Sequence, residues 1–199
     1  MTSHVIFDLG GVLVELGGMG EFQSLIRAES TDDVWQRWLS SPAVRSFERG
    51  RCTSVEFAES AVHEFGLELT PEAFLGRFRD WPRGLMADAE ALVRSVRDGV
   101  EVACFSNTNA LHWEQQIDAE RLHELFPRRF LSHEMGKIKP DREAFEHLVE
   151  ELGCPALDVL FLDDNEINVN GARSVGLDAH HVAGVAPARA LLAARGLLS

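Results

Sequence analysis

Three short apolar runs in this chain each end on a polar residue: Val5-Ile6-Phe7 at Asp8, Val102-Ala103-Cys104-Phe105 at Ser106, and Val159-Leu160-Phe161-Leu162 at Asp163. Runs this short, with no polar alternation, read as strands buried on both faces, as in a parallel sheet covered by helices. Stretches of helical period, Ala87 to Arg97 and Arg142 to Leu152, precede the second and third runs. The alternation predicts an α/β chain built from βαβ units. Ligands of open α/β sheets bind outside the carboxyl ends of the strands, so Asp8, Ser106 and the pair Asp163-Asp164 are expected at one crevice. Arg129 to Leu131 and His180 to Val182 are weaker strand candidates.

The stretch from Leu16 to Gly84 breaks this alternation and reads as consecutive helices, with Trp35, Trp38 and Phe47 in one part and Phe57, Val62 and Phe65 in the next. Gly66 is a stop signal; Thr70 and Pro71 are a fresh N-cap and first helical position. The expected organisation is a discontinuous core, residues 1–15 with 85–199, interrupted by a helical insertion over 16–84.

With 45% hydrophobic and 26% charged residues, the 199-residue chain can bury a full core. Its net charge of -13 repels phosphate backbones and anionic lipid surfaces, so neither nucleic acid nor membrane is an expected partner. Cys52, Cys104 and Cys154 lack metal-ligand spacing, and their odd number suits reduced thiols. With no secretory leader and no membrane-spanning run, the expected location is cytoplasmic. Oligomeric state is not encoded legibly.

An aspartate at a strand end can attack phosphorus only if negative charge is neutralised on both reactants. Mg²⁺ takes a few oxygen ligands and keeps waters, so Asp8 and Asp164 suffice as its carboxylates. Donors must also face the equatorial oxygens of the transferring group; Ser106 with nearby amides offers one side and a lysine the other. Lys137 and Lys139 share a face of an extended segment, and spacing does not choose between them. Asp141 is placed to cap the helix starting at Arg142. His180-His181 looks like a metal pair, but adjacent strand residues face opposite sides. His112 is expected either near the pocket or on a helix face. In Glu48-Arg49-Gly50-Arg51 an arginine either meets the substrate or, by preference, makes a salt bridge. Trp35, Trp38 and Trp81 either stack on a sugar or, as their spacing favours, fill the insertion's core.

Taken in order, Phe7-Asp8-Leu9-Gly10-Gly11-Val12-Leu13, Phe105-Ser106-Asn107-Thr108-Asn109, Gly136-Lys137-Ile138-Lys139-Pro140-Asp141 and Phe161-Leu162-Asp163-Asp164-Asn165-Glu166-Ile167-Asn168-Val169 resemble the four motifs of the haloacid dehalogenase superfamily. The resemblance spans the chain and implies a Rossmann-like three-layer α/β/α core with a helical cap of the first type. It also implies a Mg²⁺-dependent phosphomonoesterase acting through an aspartyl-phosphate on a small phosphorylated metabolite. In that scheme Asp8 is the nucleophile and a metal ligand, the Gly10 carbonyl and Asp164 are further ligands, Ser106 and Asn107 bind the phosphoryl group, and Lys139 pairs with Asp8 and the phosphate. Asp163 and Asn168 order Asp164 and a metal-bound water. The stretch from Ser106 to His112 is most similar to the α-D-glucose-1-phosphate phosphatase subgroup, which makes a sugar phosphate the expected substrate.

Gly10 departs from the superfamily pattern, in which a second aspartate two residues after the nucleophile serves as general acid and base. Such help is typically worth ~10²–10⁴-fold. An anomeric hydroxyl is a more acidic leaving group than a simple alcohol, and a water or a cap group is expected to serve instead. Two alternatives differ in chemistry. A 2-haloacid dehalogenase uses the same aspartate on carbon without metal, which gives Asp164 no purpose. A weakly active binding or regulatory protein leaves the intact Asp8, Ser106, Lys139 and Asp164 unexplained.

Overall fold

The computed structural model describes residues 1–115 and 119–199. From the amino end run β1 (His4–Phe7), β2 (Val14–Leu16), α1 (Met19–Leu25), α2 (Thr31–Ser40), α3 (Pro42–Glu48), α4 (Ser54–Phe65), α5 (Pro71–Arg79) and β3 (Pro82–Leu85). They are followed by α6 (Ala89–Arg94), β4 (Glu101–Ser106), α7 (Ala110–Gln115), α8 (Ala119–Leu125), β5 (Arg129–Leu131), α9 (Ser132–Met135) and α10 (Arg142–Leu152). The last elements are β6 (Val159–Asp163), α11 (Glu166–Ser174), β7 (Asp178–His181) and α12 (Val185–Ala194).

Five strands form one parallel sheet in the order β5-β4-β1-β6-β7. The central strand β1 is buried along its whole length, as is β6. Alternate residues supply two separate cores: Val5, Phe7, Cys104, Leu160 and Leu162 pack to one side, Ile6, Ala103, Phe105, Val159 and Phe161 to the other. The two-residue period of a strand thus makes three layers out of near-continuous apolar runs. Phe7 pairs with Cys104 on one neighbour and Leu162 on the other, so Asp8, one residue on, emerges between the ends of β4 and β6. The chain order reverses at β1, which places the crevice there.

The five helices α1–α5 lie between β2 and β3, and these two strands pair antiparallel at the root of the insertion. The pairing is invisible to periodicity because each strand is only three or four residues long. Local chemistry sets the helix ends as expected: Gly66 closes α4 in the left-handed conformation, and the Thr70 hydroxyl accepts from the Ala73 amide ahead of Pro71. The insertion has its own aromatic core of Phe22, Trp38, Phe47, Phe57, Phe74, Phe78 and Trp81. Trp38 and Trp81 therefore belong to packing, though their edges also reach the pocket. Among the described residues no helix is long and apolar enough to cross a membrane. Cys52, Cys104 and Cys154 are free thiols.

Among the contacts between the insertion and the helices flanking the sheet are an ion-pair cluster and an aromatic stack. Arg45 of α3 and Arg49, the residue that follows the helix, both donate to Asp141, Arg45 at 2.7 Å. Asp141 occupies the N-cap position of α10, but its side chain makes no capping bond. The expected structural cap is thus an interdomain anchor, because two guanidinium groups offer a carboxylate stronger partners than one backbone amide does. On the other side His112 of α7 stacks on Phe78 at 4.2 Å, and its Nε2 donates to the Phe78 carbonyl at 2.8 Å.

Burial pushes the pKa of His112 from its ordinary 6.5 down to about 4, against a smaller opposing effect of the Phe78 carbonyl. Folding therefore favours the neutral ring. Its contribution to stability is complete above pH 6.5 and is lost as the pH falls toward about 4, by up to roughly 3 kcal/mol. Urea unfolding of the wild type and His112→Gln across this window should show the wild type losing stability faster; parallel curves would assign the acid sensitivity elsewhere.

Candidate active site

Lys139 is the only lysine driven into the core; it is 1% exposed, whereas Lys137 remains partly exposed. Its Nζ donates to Asp8 Oδ1 at 2.8 Å, to Asp163 Oδ2 at 2.6 Å and to the Phe105 carbonyl at 2.9 Å. The three donors of the ammonium are thereby matched by acceptors at the ends of three adjacent strands. Burial works against the charge on Lys139, but Asp163 and Asp8 outweigh it and hold the ammonium well above its ordinary pKa.

Asn107 fixes the backbone that carries this lysine. Its side-chain amide donates to the Lys139 carbonyl at 2.8 Å, and its carbonyl oxygen accepts from the Lys139 amide at 2.8 Å. The Asn107 side chain, expected on the substrate, lines the pocket and also spends one donor and one acceptor on Lys139. Ser106, at the end of β4, lines the same pocket and is buried; its hydroxyl makes only a long contact of 3.5 Å with the Asn107 carbonyl. Ser132 joins this loop from α9, accepting from the Thr108 amide at 2.9 Å. That tether carries no signal in the sequence.

Asp163, fully buried, accepts from Lys139, from the Asn165 amide at 2.8 Å and from the Asn168 side chain at 3.1 and 3.2 Å. With both oxygens occupied, Asp163 is an organiser of Lys139 and of the first turn of α11. Asp164 is turned the other way, toward Gly11. Carboxylate oxygens of Asp8, Asp163 and Asp164 come within 4.8 Å of one another, the one such acidic or histidine-containing cluster among the described residues. Three carboxylates facing one ammonium leave surplus negative charge. Burial, then neighbouring acids, raise Asp164 to about 8; burial raises Asp8 to about 7 against the pull of Lys139. A hard cation fits this donor set, since it would offset the surplus. His180 and His181 take no part: His180 bonds Asp178 and Arg195, and His181 contacts the Asp164 backbone carbonyl at 2.8 Å.

The glycine pair divides its duties. Gly11 has φ +72, and a Cβ there would lie 1.9 Å from Asp164 Oδ2. Gly10 has no such restriction, and a Cβ would meet only the end of the Leu16 side chain, at 3.0 Å. Gly11 is therefore what admits Asp164 to the site, while Gly10 lies open on the pocket side.

The pocket runs from Asp8, Ser106, Lys139 and Asp164 up to the insertion, whose wall is made of Leu16, Met19, Trp35, Trp38, Phe78 and Trp81. One charged side chain interrupts that wall, Glu48 at the end of α3. In the sequence nothing sets Glu48 apart from its arginine neighbours. Arg49 is bound to Asp141 and Glu143.

The sheet, its helical layers and the carboxylate cluster define a Rossmann-like α/β fold with an acidic cleft at its strand ends. Residues 2–176 match the haloacid dehalogenase-like hydrolase family. The chain shares 24% identity with a D-ribitol-5-phosphate phosphatase of Bacteroides thetaiotaomicron, over 89% of this chain and 90% of that protein. It shares 28% with a sesquiterpene phosphatase of Aspergillus oryzae, over 89% and 88%. A crystal structure of a haloacid dehalogenase family enzyme from B. thetaiotaomicron, in complex with magnesium and inorganic phosphate, superposes with a TM-score of 0.67 at 22% identity, covering 90% of this chain and 93% of that one. The chain belongs to the haloacid dehalogenase-like hydrolase family, as a phosphatase.

Gly11→Ala should cost at least about 1–2 kcal/mol from the left-handed backbone alone, and more from the collision with Asp164. Gly10→Ala should stay within about 1 kcal/mol of wild type, because only a flexible leucine end must shift. Equal losses for the two variants in urea unfolding would refute the division of roles.

Proposed function

We propose that this phosphatase hydrolyses small phosphate monoesters through an aspartyl-phosphate on Asp8, with Mg²⁺ held by Asp8, Asp164 and the Gly10 carbonyl. The observation that carries this reading is the pairing of Asp8 Oδ1 with a buried lysine at 2.8 Å, beside a carboxylate cluster with surplus negative charge. Mg²⁺ bound there would supply the charge neutralisation that lets a carboxylate approach an anionic phosphoryl group. Lys139 holds Oδ1 and orients Asp8, so that Oδ2 attacks phosphorus in line while the bond to the leaving oxygen breaks. Ser106 and neighbouring amides face the equatorial oxygens. Water then attacks the phosphorus of the aspartyl-phosphate, releasing inorganic phosphate and restoring Asp8. The insertion excludes bulk water and contacts the leaving group.

For the leaving group, the resemblance of Ser106 to His112 to the glucose-1-phosphate phosphatases supports a sugar phosphate such as glucose 1-phosphate. The wall of the insertion favours a second reading. Apart from Glu48 it offers aromatic and aliphatic side chains, which suit the C–H face of a sugar ring and equally a hydrocarbon. A screen of glucose 1-phosphate, ribitol 5-phosphate and a prenyl phosphate by kcat/KM separates the two.

Phosphate release should require Mg²⁺, vanish with EDTA, and fall to background in Asp8→Asn while the fold is retained. Substantial Mg²⁺-dependent turnover by Asp8→Asn would contradict the nucleophile assignment. Halide release from 2-haloacids that persists in EDTA would replace the reading with the metal-independent dehalogenase.

A further inference from the structure

Gly10 stands where the resemblance leads one to expect a general acid, and the space its side chain would enter is bordered by Leu16. One carboxyl side chain faces the pocket from the wall of the insertion. Glu48 is 6% exposed, lines the pocket together with Asp8, Ser106, Lys139 and Asp164, and ends helix α3. Its Oε1 accepts from Trp38 Nε1 at 3.2 Å. Among the described residues no donor binds Oε2 and no ion pair holds the carboxyl. Burying a carboxyl group without a cationic partner is costly and needs a reason.

Its position is also firmly set. Arg45 within α3 and Arg49 just after its end both anchor to Asp141, two residues beyond Lys139. The turn after it packs so closely on the core that a Cβ at Gly50 would lie 2.7 Å from the His133 carbonyl oxygen. These contacts hold Glu48 over the reacting end of the sheet.

Resting on the phosphomonoesterase reading above, we infer that Glu48 is the general acid that protonates the leaving oxygen, in place of the carboxylate absent at position 10. As Asp8 Oδ2 bonds to phosphorus and the P–O bond to the alcohol breaks, the Glu48 proton passes to the departing oxygen, leaving Glu48 ionised. In the second step the attacking water gives its proton to Glu48, the P–O bond to Asp8 breaks, and both carboxyl groups return to their starting states. Burial, opposed by Trp38, Lys139 and Arg45, raises the pKa of Glu48 to about 7, which suits a group that must carry a proton in one step and lack it in the next.

The test is a matched leaving-group series assayed by kcat/KM with Mg²⁺: 4-nitrophenyl, phenyl and cyclohexyl phosphate, on wild type, Glu48→Gln and Glu48→Asp. Glu48→Gln keeps the shape and the acceptor for Trp38 but has no proton to give. It should lose roughly 10²–10³-fold on cyclohexyl phosphate and less than about 10-fold on 4-nitrophenyl phosphate. Glu48→Asp should recover part of the loss on cyclohexyl phosphate. A uniform loss across the series overturns the inference and makes Glu48 a packing or positioning residue. Glucose 1-phosphate is assayed beside the series, and a loss seen only with that hydroxylated substrate makes Glu48 a binding group and overturns the inference as well. If Glu48→Gln does not fold, Glu48→Asp decides alone: a leaving-group dependence no steeper than that of wild type overturns the inference. A wild type inactive on every ester would instead overturn the phosphomonoesterase reading itself.

Discussion

A lysine ammonium taken out of water costs several kcal/mol unless charge and hydrogen bonds are returned to it. In this protein the debt is met at one point, where Lys139 reaches Asp8, Asp163 and the Phe105 carbonyl. Those acceptors lie at the ends of β1, β6 and β4, whose register the backbone pairing sets, so a single side chain gathers three strand ends. Asn107 in turn grips the backbone of Lys139 from both sides. The rest of the site follows from this arrangement: Asp163, occupied by Lys139 and Asn168, leaves Asp164 to face Gly11 and the pocket.

The same loop ties the site to the insertion. Asp141, a short step from Lys139, receives Arg45 of α3 and Arg49 just past its end, and α3 presents Glu48. The anchoring arginines and Glu48 thus sit on one short stretch of the insertion. His112, stacked under Phe78, is the second joint. The electrostatics are equally connected: burial and crowded acids raise Asp8 and Asp164, and one ammonium cannot offset three carboxylates.

The strands around the crevice were legible because burial on both faces leaves an uninterrupted apolar run, and the polar residue that ends each run marks the mouth of the sheet. Helix ends in the insertion were legible where chemistry is local, as at Gly66, Thr70 and Pro71. Pairing of β2 with β3 was not, since it depends on two segments far apart in sequence with no period of their own. Asp141 was misread for a related reason: an acid before a helix signals a cap, and nothing nearby announces two arginines almost a hundred residues away.

By itself, then, the sequence determined the α/β alternation, the convergence of Asp8, Ser106, Asp163 and Asp164, and the absence of a second acid at Gly10, all consequences of strand period and short-range order. Tertiary structure alone decided how deep Lys139 lies relative to Lys137, which glycine admits Asp164, and that Glu48 faces the pocket. Depth, close approach and opposing walls are relations between distant segments, and only packing brings them together.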